Sequence, residues 1–222
     1  MKDVPINNVE ILNILDEILW FKNPEVAACA NAKKDFLSHR ERMISDEYLQ
    51  TLMDKGRNHD GFPEIVGGYS YSIDTGSFVP GADINTCEKI LDNVANISFR
   101  LQEELSLKKN ALFCYYPPGG YISWHNNANA SSYNFIFTWS ETGNGYFKYR
   151  NGKTGELVTI QDKKGWQCKA GYFGAYIDPK EYLCYHCAST ECDRITVAFV
   201  LNREEMSVGM QDMIIEELSC EI

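Results

Sequence analysis

The chain has 222 residues, 44% of them hydrophobic and 23% charged, with a formal net charge of −10. Those proportions suit one soluble globular domain with a real core, and the negative surface disfavours nucleic acid and anionic membranes as partners. No run of about 18 apolar residues suggests a membrane span, and the N-terminus lacks the apolar stretch of a signal peptide. The eight cysteines read as reduced thiols of a cytoplasmic protein rather than as a disulfide framework.

In chain order, the first half reads as helix. "NNVEILNILDEILWF" has a broad apolar face and Asn8 as its cap. "NPEVAACANAKKDFLSH" opens with Asn23 and Pro24, a cap followed by proline at the first helical position. "SDEYLQTLMDKG" starts from Ser45 and stops at Gly56. The segment 61–83, "GFPEIVGGYSYSIDTGSFVPGAD", is rich in glycine and aromatics and predicts a short strand plus a loop, with 67–83 as a candidate lid. A long amphipathic helix then fits Asn85 to about Leu107.

After residue 110 short Val-, Ile-, Phe- and Tyr-rich segments alternate with turns. The predicted strands are "ALFCYY", "YISWH", "YNFIFTWS", "GYFKYR", "LVTIQ", "WQCKA", "GYFGAYI", "LCYH" and "RITVAFVLN". "TGNG" and "RNGKTG" are hairpin signals. A short helix closes the chain. The pattern predicts a single α+β domain over 1–222, mainly β in its second half: helical support over 1–109, a β core over 110–203 and a helical tail over 204–222.

Two of the four histidines, His39 and His59, lie in polar surroundings and read as solvated surface residues. His125 and His186 each end a predicted strand. The last strand has a period of two: Arg194, Thr196 and Ala198 share one face, and Ile195, Val197 and Phe199 share the other. The second face is the one suited to pack on helices. An arginine directed into a barrel is costly unless an anion meets it; a ligand carboxylate held by Arg194 and Thr196 satisfies it. Arg194 paired in solvent with Asp193 or Glu191 is the alternative.

Two strand-end histidines followed by Arg-x-Thr resemble the iron(II)- and 2-oxoglutarate-dependent oxygenases, in particular the prolyl hydroxylase and AlkB-like branches. Tyr116 followed by "PPGG" is similar to the approach those branches make to their first histidine. The resemblance spans about Leu112 to Leu201. It implies a double-stranded β-helix (jelly roll, cupin-like) and Fe(II) and 2-oxoglutarate as cofactors, and it admits ascorbate. It further implies His125, Asn127 and His186 at the metal, and Arg194, Thr196 and Tyr116 at 2-oxoglutarate. The substrate pocket is expected to involve Trp124, Tyr121, Asn129 and Trp139, with Phe135 and Phe137 in an apolar lining that keeps water out. The reaction implied is hydroxylation of a C–H bond on a small molecule or on a peptide or protein. Nucleic-acid demethylation is disfavoured by the acidic balance.

Asn127 departs from the family pattern, which has an acidic residue there. Three readings stay open: ligation through the amide oxygen, a site of two histidines and water, or a binding module without turnover. Asn126 and Asn129 are further neutral donors or simply turn residues. A zinc site at Cys184, His186, Cys187 and Cys192 is the rival, but in a strand Cys184 and His186 share a face that Cys187 does not.

Overall fold

The computed structural model describes residues 1–30, 32–35, 37–55, 66–72, 78–107, 109–128, 130–175, 178–202 and 209–220. The chain begins with a short strand, β1 (Lys2–Val4), which the sequence reading did not contain. Helix α1 (Val9–Asp16) follows, with the Asn8 side chain accepting from the Ile11 amide at 3.1 Å. After a 3-10 segment, Glu17–Lys22, α2 (Pro24–Cys29) starts from the Asn23 cap. The helix expected to continue there stops, and Ala32–Asp35 is strand β2, because its backbone pairs with a later strand. Helices α3 (Arg40–Met43) and α4 (Asp46–Asp54) come next, the latter capped by Ser45.

Strand β3 (Gly68–Ser72) takes up the start of the Gly/aromatic segment. Helix α5 (Ile84–Leu105) is capped by Asp83, whose carboxylate accepts from the Thr86 amide, and ends at Ser106 in a left-handed conformation.

The remaining strands are β4 (Lys109–Tyr116), β5 (Tyr121–His125), β6 (Ser132–Ser140), β7 (Gly145–Arg150), β8 (Leu157–Gln161), β9 (Gly165–Phe173), β10 (His186–Thr190) and β11 (Arg194–Asn202). Helix α6 (Met210–Ser219) closes the described chain. Two expected strands, "WQCKA" and "GYFGAYI", are one continuous strand, β9. His186 begins a strand where the reading had it end one.

The strands follow the order β1-β9-β6-β11-β4-β3-β5-β10-β7-β8, with β2 paired to β3. Every pairing between these strands is antiparallel, and among the described residues an isolated bridge from Gly174 to Leu183 is parallel. The curled sheet is a double-stranded β-helix: β9-β6-β11-β4 form one wall, and β5-β10-β7-β8 form the other. This order corrects one hairpin. "RNGKTG" does join paired strands β7 and β8. "TGNG" joins β6 to β7, which do not pair; it crosses from one wall to the other.

Helices α1, α2, α5 and α6 lie against the outside of the first wall, and α3 and α4 pack on β5 and β10 of the second. The main core joins Ile11, Leu15, Ile18 and Phe21 to Ile90, Ile97 and Leu101 of α5 and to the outward residues Phe135, Phe137, Ile195, Val197 and Phe199. The inward residues of the same strands are free to build a site. Among the described residues no helix is long and apolar enough to cross a membrane.

Candidate active site

A cavity of about 830 Å³ occupies the barrel. Its lining includes His125, Asn127, His186, Tyr116, Arg194 and Thr196, so the structure brings together all six residues assigned to metal and cosubstrate. Phe147, Phe173, Ile122, Ile136, Ala188 and Ala198 supply apolar wall between them.

His125 and His186 are direct partners in the β5–β10 pairing, with ring centroids 4.1 Å apart. Their placement depends on a bulge. From His186 to Ala188 the partner strand moves from His125 to Ile122, so three positions of β5 span two of β10. The extra residue reverses the alternation. Ile122 and His125 therefore both line the cavity, which strict period two would forbid.

Each histidine is oriented from behind in the same way. The His125 Nδ1–H donates to the Ser123 carbonyl at 2.8 Å, and the His186 Nδ1–H donates to the Cys184 carbonyl at 3.1 Å. A carbonyl can only accept, so both rings hold a proton on Nδ1, and a neutral ring then carries its lone pair on Nε2. Burial, and then the neighbouring His125, push the pKa of His186 well below its ordinary value. The ring is thus neutral at pH 7, as a metal ligand must be. Phe173 and Phe147 flank it, at 4.7 and 5.7 Å between centroids.

Asn127 lies in the turn after β5. The Asn126 carboxamide accepts from the Ala128 amide at 2.8 Å, and the Asn127 carbonyl accepts from the Ala130 amide at 2.9 Å. Ala128 sits at φ 49°. Asn126 is therefore a turn residue that also lines the cavity. Asn129 lies outside the described residues. Among the described lining residues there is no carboxylate.

Arg194 stands at the closed end, 2% exposed. Its Nη1 donates to the Thr196 hydroxyl at 2.6 Å, and its guanidinium carbon is 5.5 Å from the centroid of the Tyr116 ring. The solvent alternative for this arginine is excluded, and so is pairing with Asp193, which instead accepts from the Tyr115 hydroxyl. The partner is one the sequence reading missed. Arg194 Nε donates to Asp162 Oδ2 at 2.8 Å, and Lys169 Nζ reaches Asp162 Oδ1 at 3.3 Å. Both of those side chains are 0% exposed. Burial alone would raise the Asp162 pKa; the charges of Arg194 and Lys169 overturn that and hold it below the ordinary carboxylate value. The signal for Lys169 was present within the expected strand "WQCKA", where Gln167 and Lys169 alternate with Cys168 and Ala170.

Three expected pocket residues do not line the cavity. Trp124 faces outward beside the bulge, packs with Leu49, Leu52 and Cys187, and donates its indole N–H to the Ile44 carbonyl at 3.0 Å. Tyr121 also faces outward, with its hydroxyl on the Met43 sulfur. Trp139 sits on the helix side of β6, with the Lys22 amine 4.2 Å from its ring centroid. Phe135 and Phe137 belong to that same outer core. The aromatic lining comes instead from Phe147 and Phe173. The zinc alternative fails geometrically: Cys187 packs on the outer face while His186 lines the cavity, and among the described residues no cluster of three His, Cys, Asp or Glu forms.

The candidate lid over 67–83 can be read only at its two ends. The Gly67 carbonyl accepts from Ser123 N, β3 is paired on both sides, and Val79 N donates to the Cys29 carbonyl. None of the described residues in 66–72 and 78–83 lines the cavity; residues 73–77 and His59 lie outside the described set.

No protein-family model matches the chain, and neither does any curated protein. Solved structures similar to it include a Pseudomonas putida prolyl-4-hydroxylase, at 12% identity and a TM-score of 0.33 over 86% of this chain and 98% of that one. A viral collagen prolyl hydroxylase from Paramecium bursaria Chlorella virus-1, in a 2OG complex, is similar at 14% identity and a TM-score of 0.33 over 71% and 91%. A dioxygenase for auxin oxidation from Arabidopsis thaliana, in a complex with 2-oxoglutarate, is similar at 10% identity and a TM-score of 0.31 over 91% of each chain. Likeness this slight carries no argument about activity. The functional reading has to rest on the site.

Proposed function

We propose that the protein is an iron(II)- and 2-oxoglutarate-dependent oxygenase that hydroxylates a C–H bond of a small-molecule, peptide or protein substrate. One observation carries the reading: two Nδ1-protonated histidines are paired across a bulge in the same cavity whose closed end holds Arg194 and Thr196. The donor set fits the cofactors. The Nε2 atoms of His125 and His186, with the Asn127 amide oxygen, would hold the metal and leave positions open for an oxygen-donor ligand. Bound iron supplies the oxidising chemistry.

The protein's own groups do the rest. Arg194 and the Thr196 O–H, which is left to donate because the oxygen accepts from Arg194, hold the far carboxylate of the cosubstrate. Phe147, Phe173 and Ile122 keep water from the reacting atoms.

A second reading, a binding module without turnover, draws on the lack of a carboxylate among the described lining residues. A neutral amide is a poorer ligand for Fe(II) than an acid, and removing one negative charge leaves the metal site more positive. Metal and dianionic cosubstrate should therefore bind with strong, reciprocal coupling. Anaerobic titration with Fe(II) and 2-oxoglutarate separates the readings: the oxygenase gives the weak visible charge-transfer band of a chelate. Asn127→Asp should raise metal affinity without cosubstrate by roughly tenfold or more and shrink the coupling. If neither wild type nor variant binds Fe(II), the oxygenase reading is lost and the module remains.

A further inference from the structure

Antiparallel register lays the inward residues of β9, β6, β11 and β4 in rows across the barrel. The row at the closed end is Gly165, Ser140, Arg194 and Tyr116, and the next is Gln167, Thr138, Thr196 and Cys114. Above them lie Lys169, Ile136, Ala198 and Leu112. Lys169 thus starts level with an apolar row, yet its amine is directed to Asp162, with both side chains 0% exposed.

A carboxylate against Arg194 poses an electrostatic problem. Asp162 fixes the guanidinium through Nε at 2.8 Å. Alone, it would also cancel the charge that an incoming carboxylate needs, in surroundings that screen poorly. Lys169, on the other oxygen of Asp162, removes that conflict. Two cations and one carboxylate leave the closed end one unit positive, in a protein whose net charge is −10. The Thr138 hydroxyl, buried and without a hydrogen-bond partner, lies on the second row beside Thr196.

We propose that Lys169 is a positioning residue that neutralises Asp162, so that Asp162 orients Arg194 without disarming it as the anchor for a ligand carboxylate. The inference rests on the role given to Arg194 above, but it concerns residues that do not line the cavity and needs no metal. Its ligand class is a dicarboxylate entering with one carboxylate toward the closed end.

The test uses glutarate on the metal-free full chain, followed through the Arg194 Nε–H signal in ¹⁵N NMR, assigned with Arg194→Lys. Lys169→Met leaves Asp162 bonded to Arg194, so no buried charge is orphaned; Lys169→Gln serves if it fails to fold. Either variant should bind glutarate roughly tenfold or more weakly. Asp162→Asn combined with Lys169→Met restores the single positive charge and still offers an oxygen to Arg194 Nε. It should recover affinity to within about threefold of wild type, a rescue that a purely structural lysine would not give.

Wild-type affinity in the single variants, no recovery in the double variant, or no glutarate shift in wild type overturns the proposal. A parallel titration with 2-oxoglutarate and Mn(II) reports on the oxygenase reading separately. Glutarate binding with the expected charge dependence, but no metal-dependent gain for 2-oxoglutarate, would reject the oxygenase and leave the carboxylate anchor standing.

Discussion

Strands β6, β9 and β11 bury both of their faces, with opposite chemistry. The outward face carries Phe135, Phe137, Cys168, Ala170, Ile195, Val197 and Phe199, all 0% exposed. The inward face of the same strands carries Asn134, Thr138, Gln167, Lys169, Arg194 and Thr196, all 6% exposed or less. Burial therefore does not distinguish a core from a site; chemistry does. The outer face gains its free energy by removing apolar area from water. The inner face leaves the cost of burying polar groups to be met by specific partners. Substitutions on the outside should thus change stability and spare binding, and those inside should do the reverse.

The sharpest break of that comparison is Phe199→Ala. Its ring is edge-on to Phe137 at 6.3 Å between centroids, against the helices. Truncation should lower the free energy of unfolding by about 3–5 kcal/mol in urea titrations. The surviving folded protein should bind 2-oxoglutarate with unchanged affinity, because Phe199 points away from the cavity. A loss of affinity without a loss of stability would contradict the division between faces.

Arg194→Lys is the complementary change. It keeps a charge but not the planar fork that serves Asp162 and Thr196 together. Calorimetry should show 2-oxoglutarate affinity falling by roughly ten- to a hundredfold, equivalent to about 1.4–2.7 kcal/mol. Unchanged affinity would remove Arg194 from the cosubstrate site.

How much of this was legible beforehand follows from the same two faces. The alternation of Arg194, Thr196 and Ala198 against Ile195, Val197 and Phe199 is visible in the sequence, and the structure keeps it. The caps Asn8, Asn23 and Ser45 were readable because each acts locally on an amide two or three residues away. Several of the errors involve information that no local pattern carries. A one-residue bulge in β5 reverses the alternation before His125, so Tyr121, which strict period two would put on the same face as His125, points outward and Ile122 takes the inner face; Trp124, next to the inward His125, is outward in either register. "TGNG" looks like a hairpin whether or not the strands it joins are paired. Asp162 finds Arg194 and Lys169 only once the barrel has closed, although the lysine's alternation with cysteine and alanine is visible within "WQCKA".

His186 extends the comparison to pH. Its folded pKa lies below the unfolded value of about 6.5. As pH falls through 6.5 the unfolded chain takes up a proton that the native ring does not. Its contribution is thus intact above that pH and is lost progressively below it, by up to about 1.4 kcal/mol per pH unit until the folded pKa is reached. Metal-free protein should lose more stability between pH 7.5 and 5.5 than a His186→Asn variant does. Parallel pH dependence in the two would mean that the ring is not held neutral.

The smallest expected effect tests the inner face most delicately. Thr138 is 0% exposed and lies beside Thr196 in the register, and its hydroxyl has no hydrogen-bond partner. A hydroxyl buried in this way contributes nothing to offset its lost hydration. Thr138→Val keeps the shape and removes the desolvated oxygen. Ordinarily Thr→Val in an interior is unfavourable because a hydrogen bond is broken; here there is none to break. Unfolding free energy should therefore stay within about 0.5 kcal/mol of wild type or rise slightly. If the hydroxyl serves a guest at the closed end, the cost should appear instead in the affinity for 2-oxoglutarate, with stability unaffected. A drop in stability with affinity intact would give Thr138 to the scaffold and move the boundary of the site one row toward the mouth.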